Sequence, residues 1–298
     1  MRAGICSRKH GCPTLAAKAA AKVGHPRTRE EEKLAATRIV TLTTDFGSTD
    51  HFVGTMRGVI LGVNPAAQVV DLCNAVNSFD VLDGALTIAQ AYRYFPADTI
   101  HLVVVDPGVG SARRPLLVVT SKHYFIAPDN GVLSLVMEQE ERVAVRHITA
   151  EHYFLQPLSN TFHGRDIFAP CAGWLSKGVE AEKFGDEITD FVRFSLPKPK
   201  MVSERMLKGA VLKVDKFGNL ITNLTPENAP ALFAADAKIR ITVGQAAVCG
   251  LRNAYADGQP GELIGLLNSM GFVEIACNRG AAAHMAKAGR GAEVVVEF

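Results

Sequence analysis

Apolar runs alternate with helix-like stretches along residues 38–196. Residues 38–47 are typical of a buried strand that ends in an acidic turn, and residues 52–63 are helix-like up to Asn64-Pro65. The same alternation predicts further strands at 68–72, 99–105, 116–120, 124–127 and 145–148. It predicts further helices at 78–94, from 132 onward and at 167–175.

Strands that alternate with helices are typical of a mostly parallel sheet flanked by helices on both faces. The helix at 78–94 has an apolar face that starts at Phe79 and recurs at helical spacing. We therefore predict an α/β domain for residues 38–196. Ligands of such sheets bind outside the carboxyl ends of the strands, and Asp45 and Asp106 both fall at such ends.

Beyond residue 200 the pattern changes to short strands that Gly, Asn and Asp turns separate. Strands are predicted at 209–214, 220–222, 238–243, 246–249, 263–267, 272–276 and 293–298. This favours a smaller all-β domain, a barrel or sandwich, over residues 201–298. Pro197-Lys198-Pro199-Lys200 is the predicted linker, residues 197–200. Residues 1–37 lack hydrophobic periodicity and are interpreted as a flexible extension outside the fold.

Charge and composition narrow the class of protein. Residues 1–38 hold nine Lys or Arg and three Glu, a balance of +6, so the total of +2 leaves about −4 for the remainder. A mildly acidic body argues against nucleic-acid binding, and no apolar run is long enough to span a membrane. The six cysteines are scattered without metal-binding or redox spacing, so we expect reduced thiols and a cytoplasmic protein, with Cys171 and Cys277 in the core.

Reactive side chains concentrate in the first domain around His163. The segment 159–170 combines a hydroxyl, an imidazole, a guanidinium and a carboxylate, and it is either a polar turn or a catalytic segment. Asp45 can accept hydrogen bonds from ribose hydroxyls or cap a helix. The run from Asp106 to Arg114 resembles a glycine-rich phosphate loop only weakly.

The second domain contributes polar turns rather than reactive groups. Asp215 and Asn219 lie in one hairpin-like turn, and Ser269 and Asn278 lie in two others. Turn chemistry explains each of them without a ligand, although asparagine can also recognise an adenine edge. No set of His, Asp and Glu has credible metal spacing, so no metal is expected. The residues alone predict a polar small-molecule site and no particular reaction.

Taken in order, however, several motifs resemble those of the S-adenosylmethionine hydrolase family, the SAM hydroxide adenosyltransferases, which are related to the SAM-dependent fluorinase and chlorinase. The resemblance runs from about Ile39 to the C-terminus. It rests on Thr44-Asp45-Phe46-Gly47, Val105-Asp106-Pro107-Gly108-Val109-Gly110 with Arg113, Ala127-Pro128-Asp129-Asn130-Gly131, Thr161-Phe162-His163-Gly164-Arg165-Asp166, Asp215 to Asn219 with Thr222-Asn223, and Asn268-Ser269 followed by Glu274 to Asn278.

The resemblance implies hydrolysis of SAM to adenosine and L-methionine, with SAM as substrate and no cofactor. It implies that Asp106, Arg113 and His163 hold the attacking water or hydroxide, with His163 accepting a proton or orienting the water. The implied substrate contacts are Asp45 to the ribose, Asp215 to the methionine ammonium, Ser269 to its carboxylate, and Asn219 with the backbone near Asn278 to adenine. Arg165 and Asp166 are then left to structural pairing and helix capping.

Family members are homotrimers with sites shared between subunits, so the resemblance implies a homotrimer here. A halogenase of the same superfamily is one alternative, but the anionic Asp106 would repel halide where halogenases carry tyrosine. A non-catalytic adenosine or SAM sensor is another alternative. Such a sensor would have no need of Arg113 and His163 to activate water. One departure weakens the Ser269 assignment, because Met270 stands where halogenases have arginine.

Overall fold

A six-stranded sheet forms the centre of the first domain in the computed structural model, which describes residues 38–234 and 238–298. Its strands are β1 Ile39–Thr44, β2 Gln68–Cys73, β3 Ile100–Val104, β4 Pro115–Thr120, β5 Tyr124–Pro128 and β6 Val143–His147. The order across the sheet is β2-β1-β3-β5-β4-β6. β1 is parallel to β2 and β3, and β3 to β5, whereas β4 is antiparallel to both neighbours. The predicted α/β class is confirmed.

Helices pack on the two faces of this sheet. They are α1 Phe52–Val63, α2 Val81–Ala91, α3 Ser134–Gln139 and α4 Ala169–Ser176. Because side chains alternate along a strand, Leu102 and Val104 of β3 pack with α1 and α4, while Val103 packs with α2 and α3. This double burial explains why β3 is apolar almost throughout.

The second domain is a mostly antiparallel sheet that is nearly closed into a barrel. Its strands are β7 Lys200–Ser203, β8 Met206–Val214, β9 Leu220–Thr222, β10 Arg240–Val243, β11 Ala246–Cys249, β12 Leu251–Arg252, β13 Leu263–Leu267, β14 Val273–Cys277 and β15 Glu293–Glu297. The order is β11-β10-β15-β8-β9-β14-β13-β12, with β7 beside β8. β11 also contacts β13, which brings the two ends of the sheet together. The predicted barrel-like class is therefore confirmed.

Several predicted boundaries differ from the structure. The helix predicted at 78–94 begins at Val81, because the Asp80 side chain caps it by accepting from the Asp83 amide at 2.9 Å. Phe79 was therefore wrongly placed on its buried face: it precedes the helix at φ +65° and is 74% exposed. Lys200, predicted as linker, is the first residue of β7.

Two strands and one helix were not anticipated. Strands β7 and β12 were missed, as was the short helix α5, Ala282–Ala286. The prediction of a flexible extension falls on residues 1–37, outside the described residues, and the domain boundary at 197–200 remains a prediction. Within the described ranges, no helix is both long and apolar enough to cross a membrane. Cys171 and Cys277 are buried and free, as expected.

A histidine is buried in the central strand of the first domain. His101, on β3, is fully buried, and its Nδ1 lies 2.8 Å from the Thr41 hydroxyl oxygen. Its ring stacks on Phe125, and the His123 ring lies beside it with 5.3 Å between ring centroids. Burial, and then the neighbouring His123, lower the pKa of His101 to about 3.

Because His101 is buried, we predict that the protein loses stability in acid. Well above pH 6.5, the ordinary pKa, His101 is neutral in both folded and unfolded chains, and its contribution to stability is complete. As the pH falls towards 3, the unfolded chain gains a proton that the folded chain resists. The free energy of unfolding should then fall by about 1.4 kcal/mol per pH unit through this site alone.

Urea unfolding at pH 5 and pH 7 checks this expectation. The difference between the two pH values should be smaller in His101→Phe than in the wild-type protein. The matched control is His152→Phe, since His152 is exposed, and it should keep the wild-type difference. Equal pH dependence in all three proteins would contradict the assignment.

Candidate active site

The strand order brings two of the predicted acidic residues to one sheet edge. Asp45 directly follows β1, and Asp106 follows β3 after one intervening residue. β1 and β3 are parallel neighbours in which Thr44 pairs with Val104. The two carboxylates therefore leave the same edge of the sheet side by side, at the usual ligand-binding end.

A tight loop carries Asp106 and Arg113. The Val109 amide donates to the Asp106 carbonyl at 3.2 Å, and the Ser111 amide to the Gly108 carbonyl at 3.1 Å. Gly110 has φ +78°, and a Cβ at this position would overlap the backbone oxygen of Asn160. The glycine thus lets the loop lie directly against the segment that carries His163.

Arg113 joins the predicted catalytic residues into one hydrogen-bonded group. Its Nε lies 3.0 and 2.9 Å from the two carboxylate oxygens of Asp106, and its Nη2 contacts the same carboxylate. The same Nη2 lies 2.7 Å from Nδ1 of His163. The side chains of Arg113 and Asp106 are only 8% and 5% exposed, so the ion pair is well shielded from solvent.

The contact with Arg113 determines which nitrogen of His163 carries the proton. A guanidinium can only donate, so Nδ1 of His163 must accept, and the proton of a neutral ring then sits on Nε2. Burial first, and then the positive charge of Arg113, lower the pKa of His163, while Asp106 and Asp166 oppose this shift. At neutral pH, His163 is therefore a neutral imidazole that offers an N–H donor.

A π-helix, Gly164–Phe168, begins directly after His163 and continues into α4. Such wide helical turns are frequent at functional sites. Inside it, Asp166 is fully buried and accepts from Arg165 Nε at 2.6 Å and from the Ser159 amide at 2.8 Å. The predicted pairing of Arg165 with Asp166 is confirmed. The predicted helix cap is wrong, because Asp166 lies within the helix and anchors the preceding segment.

Asp45 contacts the exposed Phe79. Its Oδ2 accepts from the Phe79 amide at 2.8 Å, and this contact bridges the ends of β1 and the segment before α2. Helix α1 begins only at Phe52, with His51 as its N-terminal flanking residue, so Asp45 does not cap it. The contact leaves Phe79 exposed beside a half-buried carboxylate, a feature that the sequence pattern did not reveal.

In the second domain, Asp215 and Asn219 close one turn on each other. Asn219 donates to Asp215 through its side chain at 2.9 Å and through its amide at 2.8 Å. Asn219 and Asn278 line one cavity of about 510 Å³. The remaining lining residues are Phe217, Tyr255, Cys277, Arg279 and Gly280. The whole lining belongs to the second domain.

Tyr255 was missed by sequence reasoning, because a lone tyrosine in a turn carries no pattern. Its hydroxyl donates to the buried Glu274 at 2.8 Å. Burial and this carboxylate raise the pKa of Tyr255 to about 12. The cavity therefore combines an aromatic wall with two asparagines, Asn219 and Asn278, whose Nδ2 atoms donate to Asp215 and to the Gly258 carbonyl. Aromatic side chains beside fixed polar groups suit a flat polar ring.

Ser269 does not share that cavity. It lies on the exposed turn between β13 and β14 and lines a different cavity of about 1010 Å³, together with Lys213, Met270 and α2 residues such as Thr87. The structure thus brings Asp106, Arg113 and His163 into contact and places Asp45 at the same edge of the six-stranded sheet. In the second domain, Asn219 and Asn278 line one cavity, and Ser269 lines another.

Family models match both domains. The model described as the SAM hydroxide adenosyltransferase N-terminal domain matches residues 40–185, and that of the C-terminal domain matches residues 209–295. The chain belongs to the SAM hydroxide adenosyltransferase family. The resemblance seen in the sequence motifs is therefore confirmed over both domains.

Individual relatives agree with the family models. A protein from Salinispora tropica named (R)-S-adenosyl-L-methionine hydrolase is 34% identical over 85% of this chain and 95% of the relative. One of the same name from Methanocaldococcus jannaschii is 32% identical over 80% and 87%. A fluorinase from Actinoplanes sp. is 26% identical over 80% and 91%. A solved structure from Thermotoga maritima, of an uncharacterized conserved protein, aligns with a TM-score of 0.80 at 36% identity, covering 87% and 100%.

The neutral state of His163 can be tested without substrate. Nitrogen NMR of the imidazole should show the Nε2–H tautomer at pH 7, and the ring should titrate below the ordinary pKa of 6.5. Arg113→Met removes a cation that lowers this pKa, so the pKa should rise. The exposed Arg142 is the matched control, and Arg142→Met should leave the ring signals unchanged. An Nδ1–H tautomer in the wild-type protein would contradict the hydrogen-bond assignment.

Proposed function

We propose that this protein hydrolyses S-adenosyl-L-methionine to adenosine and L-methionine, by attack of water or hydroxide on C5′ of the ribose. The observation that carries the proposal is the shielded contact of Asp106, Arg113 and His163 in a chain whose relatives are named SAM hydrolases. The reaction consumes SAM and water and releases one proton to the solvent, so it balances without a cofactor or metal.

The residue types fit this chemistry. The leaving group is a neutral thioether expelled from a sulfonium, so no general acid is needed. Hydroxide is scarce at neutral pH, and the positive charge of Arg113 favours the deprotonated form of a neighbouring water. Asp106 fixes the guanidinium through its bidentate contact.

His163 then orients the nucleophile instead of removing its proton. Its Nδ1 is occupied by Arg113, and Nε2 already carries a proton. For His163 to act as a base through Nε2, the ring proton would first have to sit on Nδ1. The contact of Nδ1 with Arg113 would then have to break, because a guanidinium cannot accept a hydrogen bond. The neutral ring can donate a hydrogen bond to hydroxide and hold it in line with C5′.

Substrate recognition is divided between the domains. We assign the ribose hydroxyls to Asp45, the adenine ring to Asn219 and Asn278, and the methionine ammonium to Asp215. The 510 Å³ cavity with its aromatic wall supports the adenine assignment. The methionine carboxylate is assigned to Ser269, and this assignment has the least support, because Ser269 lines a separate cavity.

A homotrimer would complete the site. The cavity of Asn219 and Asn278 is lined by residues of the second domain alone. A complete site also needs the reacting groups of a first domain, and a second copy of the chain can bring its first domain to this cavity. Phe79 beside Asp45 and Phe217 at the cavity are both about three quarters exposed, as expected of surfaces that another subunit covers. We also propose that the protein acts in the cytoplasm, on a small molecule and without nucleic acid or membrane.

Incubation with SAM followed by chromatography tests the reaction. Adenosine with methionine is the expected outcome. A halo-deoxyadenosine would favour the halogenase alternative, and unchanged SAM with measurable binding would favour a sensor. Both sulfonium epimers should be assayed, since the relatives are named for the R form.

His163→Ala and Arg113→Met should bind SAM but lose at least about a hundredfold in kcat, whereas His152→Ala should retain wild-type kcat. Full activity in either variant would contradict the catalytic assignment of Asp106, Arg113 and His163.

Subunit complementation tests the shared site. Arg113→Met inactivates the first domain, and Asn219→Ala weakens binding in the second. In mixed trimers reassembled from equal amounts of the two chains, about a quarter of the sites would combine two intact domains and recover activity. Light scattering should give three times the 32.0 kDa chain mass for each variant. A trimeric mixture that recovers no activity would contradict sharing between subunits.

A further inference from the structure

One turn lies beside both ends of the loop between β3 and β4, which carries Asp106 and Arg113 and is called the catalytic loop below. The proposed function gives this turn no role. This turn, Pro128-Asp129-Asn130-Gly131, begins at the last residue of β5, which lies between β3 and β4 in the sheet. The catalytic loop runs from the end of β3 to the start of β4, where Pro115 pairs with Pro128. The strand order therefore places one turn next to both the N-terminal end of the loop, its entry, and the C-terminal end, its exit.

Asn130 holds the entry. Its Nδ2 donates to the carbonyl of Val105 at 2.8 Å, directly before Asp106. Its Oδ1 accepts from the Val132 amide at 3.1 Å, so the amide plane is fixed at both ends. The backbone that aims the Asp106 carboxylate is thereby tied to the short segment that precedes α3.

Asp129 holds the exit. Its amide donates to the carbonyl of Arg114 at 2.8 Å, and its Oδ2 accepts from Nε and Nη2 of Arg114 at 2.9 and 2.7 Å. Its Oδ1 accepts from the Val192 amide at 2.7 Å. Asp129 is buried, and Arg114 is further fixed by Asp190 at 2.8 Å. The residue that follows Arg113 is therefore anchored through its backbone and its side chain.

Gly131 allows this turn to form. It adopts φ +90°, which disfavours any residue with a side chain. A Cβ at this position would also lie 2.9 Å from the ring of Phe194. The chain must therefore reverse here with glycine, and the reversal directs Asp129 and Asn130 towards the loop.

We propose that Asp129 and Asn130 are positioning residues that clamp the two ends of the catalytic loop, so that Arg113 contacts Asp106 and His163 at once. The contact of Arg113 with His163 spans 50 residues of sequence and depends on the loop conformation. Small misplacements of catalytic groups have large effects, with about a hundredfold loss in rate for about 1 Å. The clamp acts through Arg113 and needs no contact with substrate.

The test compares two asparagines with matched hydrogen bonds. Asn228 also donates through Nδ2 to a carbonyl, that of Asn223 at 2.9 Å, and accepts through Oδ1 from an amide, that of Thr225 at 2.8 Å. It lies in the second domain, away from the catalytic loop. Asn130→Ala and Asn228→Ala therefore each remove one donor and one acceptor, but only Asn130→Ala releases the loop.

The readout that decides is the imidazole of His163. In Asn130→Ala, nitrogen NMR should show that His163 loses the defined Nε2–H signature, whereas Asn228→Ala should keep it. A merely structural role for Asn130 would lower the thermal stability without changing these signals, and unchanged signals would overturn the clamp. Asp129→Asn keeps an acceptor for the Val192 amide, removes the charge opposite Arg114, and should shift the same signals.

Kinetics give the second readout, and they rest on the proposed function. Asn130→Ala should lose about ten- to a hundredfold in kcat with SAM, with less than about a threefold change in KM, because binding contacts are untouched. A change confined to KM would overturn the clamp. If the wild-type protein does not hydrolyse SAM but the NMR response is seen, the proposed function fails and the clamp stands.

Discussion

The arrangement of the candidate site depends on the bridging guanidinium of Arg113. One Nη2 contacts the Asp106 carboxylate and the His163 ring together, and this sharing sets the position of the proton on the His163 ring. A point charge on a flexible chain would not hold two acceptors in fixed directions, whereas a planar guanidinium does. The parallel pairing of β1 with β3, the glycine-rich loop and the π-helix all serve to bring these groups within hydrogen-bond distance.

The apolar pattern predicted much of this architecture from the sequence. Helix α1 was predicted at its observed bounds, and Asp45 and Asp106 were placed at strand ends because a buried parallel strand is apolar until it leaves the sheet. Each of these inferences used neighbouring residues only. Local periodicity is reliable where burial on both faces dictates every side chain.

The remaining features depend on contacts between distant residues. Phe79 fitted the helical period by coincidence, and only the Asp80 cap and the contact with Asp45 set it outside α2. The position of Asp166 within a π-helix, and the separation of Ser269 from Asn278, likewise follow from packing that no sequence window contains. The proton position on His163 could not be predicted either, since it depends on which side of the ring Arg113 meets.

The division of labour between the two domains has an evolutionary consequence. Under the proposed roles, the groups that select the nucleophile lie between residues 106 and 163, whereas those that hold the adenine lie beyond residue 200. Substitutions that change the attacking species can then accumulate without disturbing recognition of the nucleoside. Such modularity fits a chain whose relatives, matched over most of its length, include proteins named as hydrolases and as fluorinases.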